Sequence, residues 1–286
     1  QGDSERHIGN WMFERRNRDK VVIATKITGP STTSFSHIRN GDLTFGYRQI
    51  KEAVESSLRR LKTDYIDLYQ LHWPERTTNF FGKLGYEHHD DEEWTLFQET
   101  LDALARMCDA GKLRSIGCSN ETPWGLMKML SLSSYDGFPT LASIQNPYNL
   151  LNRTYEIGLA EISIRENCGL LAYSPLAFGA LTGKYLNGAL PKQSRLALYP
   201  EYTRYTKPRS IKATEAYVAL AQEHGLDPAQ MALAYVNTRK FTTANIIGAT
   251  NQEQLKKNIL SDSIHLSKEV LCGIENIHNM DPNPAP

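Results

Sequence analysis

Cysteine is scarce in this chain of 286 residues, and an excess of one charge is lacking. The four cysteines lie far apart and form no C-x-x-C pair, so neither a zinc site nor a disulfide framework is expected. The 32 Lys and Arg residues are balanced by 32 Asp and Glu residues. Domains that bind nucleic acids usually carry a strong basic excess, so this balance argues against a nucleic-acid partner.

Long apolar runs are missing as well, and no stretch approaches the ~18–20 residues that cross a membrane. The chain opens on Gln1 without a signal-like apolar segment. Its content of 40% apolar and 22% charged residues is ordinary for a globular protein. These features predict a reduced, soluble, cytoplasmic protein with no membrane partner.

Short apolar runs alternate with amphipathic segments along the chain. The predicted strands are Val21–Thr25, Tyr65–Leu71, Leu113–Cys118, Ala142–Gln145, Gly169–Tyr173 and Ala244–Ile247. Apolar residues repeat at helical spacing in Ile50–Leu61, Leu96–Ala110 and Ile211–Ala221. Continuous apolar strands suit a parallel sheet that is covered on both faces. With no linker in the pattern, we expect one α/β domain over residues 1–286, built as a barrel or as an open doubly wound sheet.

Further signals mark helix starts and long loops. A capping residue precedes Pro in Thr122-Pro123 and in Asp227-Pro228, which predicts that helices begin there. The longest irregular segments are long enough to be functional loops. They are Thr28–Gly46, Pro74–Asp90 and Leu186–Pro208.

Two nucleotide-binding motifs are excluded. The Rossmann fingerprint G-x-G-x-x-G is absent. The segment Gly179–Tyr185 (GALTGKY) is similar to a P-loop, but it has three residues between its glycines, where a P-loop has four. It also carries Tyr185 where Ser or Thr would bind magnesium. Nucleoside triphosphate chemistry is therefore not expected.

Polar residues, a tyrosine and a conformationally permissive glycine stand at the ends of the predicted strands. Parallel α/β folds place their active sites at the carboxyl ends of the strands. Each of them alone has an ordinary structural interpretation, such as a solvated Lys or a hydrogen-bonded structural His. Together they suit gripping a planar, amide-bearing ring and polarising a carbonyl group. No metal site is expected, because His72 has no partner at i+3 or i+4. The residues are Lys26, His72, Ser119-Asn120, Gln145, Tyr173-Ser174 and Gly248–Thr250.

Segments spread over the whole chain resemble the aldo-keto reductase superfamily in order and spacing. Within it, the chain is similar to the bacterial Tas-type NADP(H)-dependent reductases, which neighbour the potassium-channel β-subunits. The resemblance implies a (β/α)₈ TIM barrel that reduces an aldehyde or ketone with NADPH. The segments are Val21–Lys26, Tyr65–Pro74 (YIDLYQLHWP), Gly111–Asn120 (GKLRSIGCSN), Ile144–Arg153 (IQNPYNLLNR), Tyr173–Tyr185 (YSPLAFGALTGKY) and Ile246–Asn258 (IIGATNQEQLKKN).

The resemblance also implies roles for individual residues. Lys26 matches a catalytic Lys that lowers the pKa of a proton-donating Tyr, and His72 matches a His that orients the substrate carbonyl. Lys257 stands where many relatives carry Glu near the adenine. The implied NADP(H)-binding residues are Ser119, Asn120 and Gln145 at the nicotinamide carboxamide, Tyr173 stacked on the nicotinamide, Ser174, Pro175, Leu176, Gly179 and Lys184 in the loop over the pyrophosphate, Arg195 at the 2′-phosphate, and Gly248, Thr250, Gln254 and Asn258 at the adenosine.

The family places its first two strands, its first helix and its catalytic Asp and Tyr ahead of the helix that Gln1–Gly9 resembles. We therefore expect roughly 60 residues of such a barrel to precede Gln1. An NADP(H)-binding accessory or sensor subunit with little turnover, like the channel β-subunits, is the alternative function, and a catalytically dead barrel fragment is a third. The presence of both Lys26 and His72 favours the reductase.

Overall fold

The computed structural model describes residues 2–30, 37–90 and 92–286. The described residues form a six-stranded sheet in the order β1-β2-β3-β4-β5-β6, so each strand lies beside the next one in sequence. The pairs β1–β2, β2–β3 and β5–β6 are parallel. The strands are β1 Ala24–Ile27, β2 Ile66–Leu71, β3 Leu113–Ser119, β4 Leu141–Pro147, β5 Gly169–Tyr173 and β6 Thr242–Asn245.

Helices separate the strands, in the β-then-α alternation of a (β/α)₈ barrel. The sheet of the described residues is not closed, since β1 and β6 are its edges. No helix among these residues is both long and apolar enough to span a membrane. The helices are α1 Asp3–Arg15, α2 Tyr47–Leu61, α3 Phe97–Asp109, α4 Pro123–Asp136, α5 Tyr155–Arg165, α6 Arg195–Leu198, α7 Pro208–Glu223, α8 Pro228–Asn237, α9 Gln252–Leu260 and α10 Lys268–Met280.

The chain divides into two compact units. The first unit comprises Gln1–Phe80 and Gly85–Ile144, and the second comprises Phe81–Leu84 and Gln145–Pro286. The first unit therefore holds β1 to β3, and the second holds β5 and β6. The sequence of β4 continues from the first unit into the second.

Local sequence signals explain where several helices begin and which side they bury. Thr122 caps α4 by accepting a hydrogen bond from the Gly125 N–H, and Asp227 caps α8 in the same way from Gln230. Both helices carry Pro at the first position, as predicted. On α2, the apolar stripe predicted from helical spacing is buried, with Ile50 and Val54 fully inside.

Strand boundaries differ from the prediction at both edges of the sheet. The first strand begins at Ala24 and includes Lys26, whereas Val22 is 81% exposed. The last strand ends at Asn245, two residues short of the predicted Ile247. Backbone pairing with one neighbour sets the limits of an edge strand, and runs of β-branched residues do not reveal that register.

The irregular segments also hold more structure than their composition indicated. Leu186–Pro208, predicted as a loop, contains the short helix α6. Residues 31–36 of the predicted loop Thr28–Gly46 lie outside the described residues.

Candidate active site

Lys26 and His72 lie on adjacent strands of the first unit. Lys26 is within β1 and pairs with Gln70 of β2, while His72 directly follows β2 and donates its backbone N–H to Ile27 O at 3.1 Å. Burial lowers the pKa of Lys26. Burial, together with the positive charge of Lys26, lowers the pKa of His72 to about 4. His72 is therefore a neutral imidazole at pH 7, with one ring N–H to donate.

Ser119 and Asn120 join His72 at the same end of the sheet. Ser119 is the last residue of β3, and Asn120 follows it with a left-handed backbone, φ +54°. The side-chain amide of Asn120 donates to the backbone oxygen of His72 at 2.9 Å and to Ser119 Oγ at 3.1 Å. The structure thus brings together four of the predicted residues within the first unit.

Sequence reasoning missed three charged residues that lie close in sequence to this cluster, Glu75, Arg76 and Glu121. Glu75 accepts hydrogen bonds from the backbone N–H groups of Phe45 and Thr95, at 2.9 Å each. Arg76 forms a buried ion pair with Glu121. The available signal was their position, since Glu75 and Arg76 follow His72 closely and Glu121 follows Asn120.

In the second unit, the loop after β5 carries several of the predicted cofactor residues. Gln145 is half-buried in β4, and Tyr173 ends β5, where burial raises the pKa of its hydroxyl to about 12. The loop that follows is left-handed at Ser174, Ala177, Phe178 and Gly179, with φ between +49° and +93°. Non-glycine residues rarely adopt this conformation, and such strain clusters at functional sites.

Pro175 and Leu176 hold the start of this loop, and two cations flank it. Pro175 is buried, and Leu176 O accepts from Gly179 N at 2.8 Å. A Cβ atom on Gly179 would lie 2.8 Å from Lys184 Nζ, so Lys184 packs directly across this glycine.

Arg195, the first residue of α6, supplies the second cation. Its guanidinium lies 4.8 Å from the ring centre of Phe178 and 5.3 Å from that of Tyr202. Beside it, Ser194 Oγ is buried and has no hydrogen-bond partner among the described residues. Exposed Lys184 and Arg195 together with this hydroxyl suit the binding of phosphate groups.

The last predicted group lies in α9 and in the turn that precedes it. Asn258 donates to Gly248 O at 3.1 Å, and Gln254 Oε1 accepts from both N and Oγ1 of Thr250 at 3.0 Å. Lys257 pairs with Asp227 at 2.5 Å. The side chains of Asn258 and Gln254 thus bind the turn that leads into the helix, at Gly248 and Thr250.

Comparison with known proteins fits this arrangement of strands and strand-end residues. The Aldo/keto reductase family model matches residues 1–279. The chain belongs to the aldo/keto reductase family. Membership makes it an oxidoreductase, and the family implies small carbonyl compounds as substrates. It also confirms the barrel fold class that the sequence motifs implied.

Individual relatives cover most of the chain. Protein tas of Escherichia coli (strain K12) is 50% identical over 286 residues, which is 100% of this chain and 82% of that protein. An aldo-keto reductase of Babesia bovis is 41% identical over 253 residues, covering 84% of this chain and 88% of that protein. L-glyceraldehyde 3-phosphate reductase of Escherichia coli (strain K12) is 31% identical over 273 residues, covering 90% of this chain and 70% of that protein.

Proposed function

We propose that this protein reduces an aldehyde or ketone to the alcohol with NADPH. The observation that carries the proposal is neutral His72, half-buried beside the positive charge of Lys26 at the ends of two adjacent strands of an aldo/keto reductase. A bound NADPH would supply the hydride that reduces the carbonyl carbon.

Residues of the first unit act on the carbonyl oxygen in this proposal. The neutral ring of His72 donates a hydrogen bond to that oxygen and polarises the carbonyl group. The ammonium of Lys26 stabilises the negative charge that develops there, and it lowers the pKa of the proton-donating Tyr that the family resemblance implies. Preorganised donors of this kind usually provide the largest single contribution to catalysis.

The cofactor residues divide by the part of NADPH that they would hold. Lys184 and Arg195 suit the phosphates, because charge-assisted hydrogen bonds to phosphate are strong. Tyr173 offers a ring face to the nicotinamide, and Gln145 offers an amide to its carboxamide. From the family resemblance we infer that Ser119 and Asn120 also bind the carboxamide. The predicted residues of α9 and of the turn before it would bind the adenosine.

Oxidation of NADPH by an aromatic aldehyde, followed by absorbance with the full-length protein, tests the function. We expect His72→Gln to lower kcat by about 10²-fold with little change in NADPH affinity, since one positioned donor is lost. His278→Gln is the matched control: His278 is also a half-buried histidine of lowered pKa, but it lies in α10, and this variant should keep the parental kcat.

Two outcomes would contradict the proposal. A His72→Gln variant with the parental kcat would remove His72 from the chemistry. A parent protein that binds NADPH tightly, yet reduces none of a panel of aldehydes and ketones, would favour the accessory or sensor subunit.

A further inference from the structure

We propose that the buried ion pair between Arg76 and Glu121 is a positioning pair that fixes His72 relative to Ser119 and Asn120. This inference rests on the proposed function and names residues that set the geometry of its site. Neither Arg76 nor Glu121 is placed in contact with substrate or cofactor.

The pair joins the two loops that carry the site of the first unit. Arg76 lies four residues after His72, and Glu121 directly follows Asn120. Arg76 Nη1 donates to Glu121 Oε2 at 3.1 Å, and Arg76 Nη2 donates to Glu121 Oε1 at 2.6 Å. Two parallel hydrogen bonds of this kind fix both the distance and the orientation of the groups that they join.

The surroundings of the pair hold it in one arrangement. Arg76 and Glu121 are only 8% and 5% exposed. The guanidinium lies 4.8 Å from a ring centre of Trp124 and 5.3 Å from that of Phe97, on the faces that favour a cation. A Cβ on Gly125 would lie 2.6 Å from Arg76 Nη2, so the pair fills the space at the start of α4.

Hydrogen bonds also tie the pair to the cap of α4. Arg76 Nη2 donates to Thr122 Oγ1 at 3.1 Å, and the backbone N–H of Thr122 donates to Glu121 Oε1 at 2.6 Å. Thr122 is the residue that caps this helix. The loop after β2 is thereby anchored to the rigid start of α4.

A second cross-link runs parallel to the ion pair. The side-chain amide of Asn120 donates to the backbone oxygen of His72 at 2.9 Å. The hydrogen bond between Asn120 and His72 thus joins the same two loops as the ion pair between Arg76 and Glu121. Loss of the ion pair removes one of these cross-links and leaves the neutral hydrogen bond from Asn120 in place.

The energetics of buried ion pairs favour positioning over simple stabilisation. Desolvation offsets much of the Coulomb attraction, and apolar replacements of such pairs are often neutral or stabilising. Catalysis, in contrast, is sensitive to geometry, because a displacement of about 1 Å can lower a rate by about 10²-fold. A pair that joins the two loops carrying the site is therefore expected to affect kcat more than stability.

The first unit supplies a matched ion pair at the other end of the same strand. Arg18 pairs with Asp67 at 2.7 Å, with side chains 18% and 11% exposed. Asp67 lies at the start of β2, whereas His72 follows its end. Arg18 also donates to Thr63 Oγ1 and Tyr65 O, so its environment is equally well connected.

The experiment compares Arg76→Lys with Arg18→Lys in the full-length protein. Lysine keeps the charge but loses the two parallel hydrogen bonds. We expect Arg76→Lys to lower kcat about tenfold or more and to raise the primary isotope effect measured with deuterated NADPH, because hydride transfer becomes slower. Arg18→Lys should keep both values, although its Tm falls.

The double variant Arg76→Met with Glu121→Leu removes both buried charges. We expect it to stay folded, with a Tm near that of the parent, and to show the same fall in kcat. A folded double variant or an Arg76→Lys variant with the parental kcat and isotope effect would overturn the proposal. If the double variant does not fold, the kcat and the isotope effect of Arg76→Lys decide whether the proposal stands.

A measurement on the resting protein separates this inference from the proposed function. In NMR spectra, the ring signal of His72 should shift and its pKa should rise in Arg76→Lys, because the loosened loops admit water. A parent that reduces no carbonyl, with a shifted His72 signal in the variant, would reject the function and retain the positioning pair. If the parent has no turnover and the His72 signal is unchanged in Arg76→Lys, the positioning role of the pair is overturned as well.

Discussion

At the scale of single residues, His72 shows how burial and one neighbouring charge set the protonation state of a side chain. The ordinary pKa of histidine lies near 6.5, within reach of physiological pH. Burial and the positive charge of Lys26 lower the pKa of His72 to about 4. The ring is thereby kept neutral, as a hydrogen-bond donor to a carbonyl oxygen should be when another group delivers the proton.

The lowered pKa of His72 predicts a loss of stability in acid. Between about pH 6.5 and pH 4 the unfolded chain binds a proton at this residue and the folded chain does not, so the free energy of unfolding falls as the pH falls. Through this residue, the free energy of unfolding should be about 2 kcal/mol lower at pH 5 than at pH 7. Between pH 7 and pH 5, the free energy of unfolding measured with urea should fall less in His72→Gln than in the parent protein. An equal loss in the two proteins would contradict the lowered pKa.

The position of Arg195 predicts that the protein binds NADPH in preference to NADH. The guanidinium of Arg195 lies beside the left-handed loop after β5, and we propose that it binds the 2′-phosphate that only NADPH carries. We expect Arg195→Ala to weaken NADPH binding about tenfold or more, in the range of a charge-assisted hydrogen bond, and NADH binding much less. Binding titrations with both cofactors measure the difference.

A neighbouring cation serves as the control for Arg195. Lys192 is exposed in the same segment and has no predicted role, so Lys192→Ala should leave the preference for NADPH intact. Equal weakening of both cofactors by Arg195→Ala would reject the assignment to the 2′-phosphate.

At the scale of structural elements, loops decide the geometry of the site. Glu75 binds the backbone of both Phe45 and Thr95 through its two carboxylate oxygens. These residues belong to separate irregular stretches, one before α2 and one before α3. A single carboxylate thus fixes the backbone ahead of two helices. The amino-acid composition of the loops alone does not reveal this arrangement.

The loop over the proposed phosphate site gives a prediction about glycine. Gly179 has φ +93°, and a Cβ there would overlap Lys184, so Gly179→Ala should both strain the backbone and displace that cation. Gly188 has φ +73° with no atom within 4 Å of a Cβ, so Gly188→Ala should strain the backbone only. Each variant should lose about 1–2 kcal/mol of stability, and only Gly179→Ala should weaken NADPH binding.

Thermal unfolding and NADPH titration of these two glycine variants make the comparison. Similar losses of NADPH affinity in both would show that loop strain, and not the position of Lys184, sets the affinity.

At the scale of the whole molecule, the proposed reaction needs a group that protonates the alkoxide oxygen, within about 3 Å of it. The family resemblance implies that a Tyr fills this role, and the edges β1 and β6 of the sheet would be liable to aggregation if unpaired. A protein in which these two edge strands stay unpaired should be poorly soluble.

NADPH oxidation with an aromatic aldehyde by residues Gln1–Pro286 tests whether one of these residues supplies the proton. Robust turnover by residues Gln1–Pro286 would show that the proton comes from a residue that the proposal has not identified.

The amino-acid sequence by itself determined which segments become strands and helices and which family they belong to. Apolar runs and helical spacing depend on neighbouring residues, and so the Thr122-Pro123 and Asp227-Pro228 starts and the whole of β5 were predictable. Motif spacing also led to the assignment of Lys26, His72 and the cofactor residues, which stays a prediction.

Only the tertiary structure decided the edge-strand limits, the pKa of His72 and the pairing of Arg76 with Glu121. Each depends on residues that are distant in sequence: the register of a neighbouring strand, the charge of Lys26 on β1, and a carboxylate 45 residues farther along the chain. Contacts of this kind are set by which strands lie side by side. Local sequence patterns carry no record of that adjacency, and the chemistry of the site follows from it.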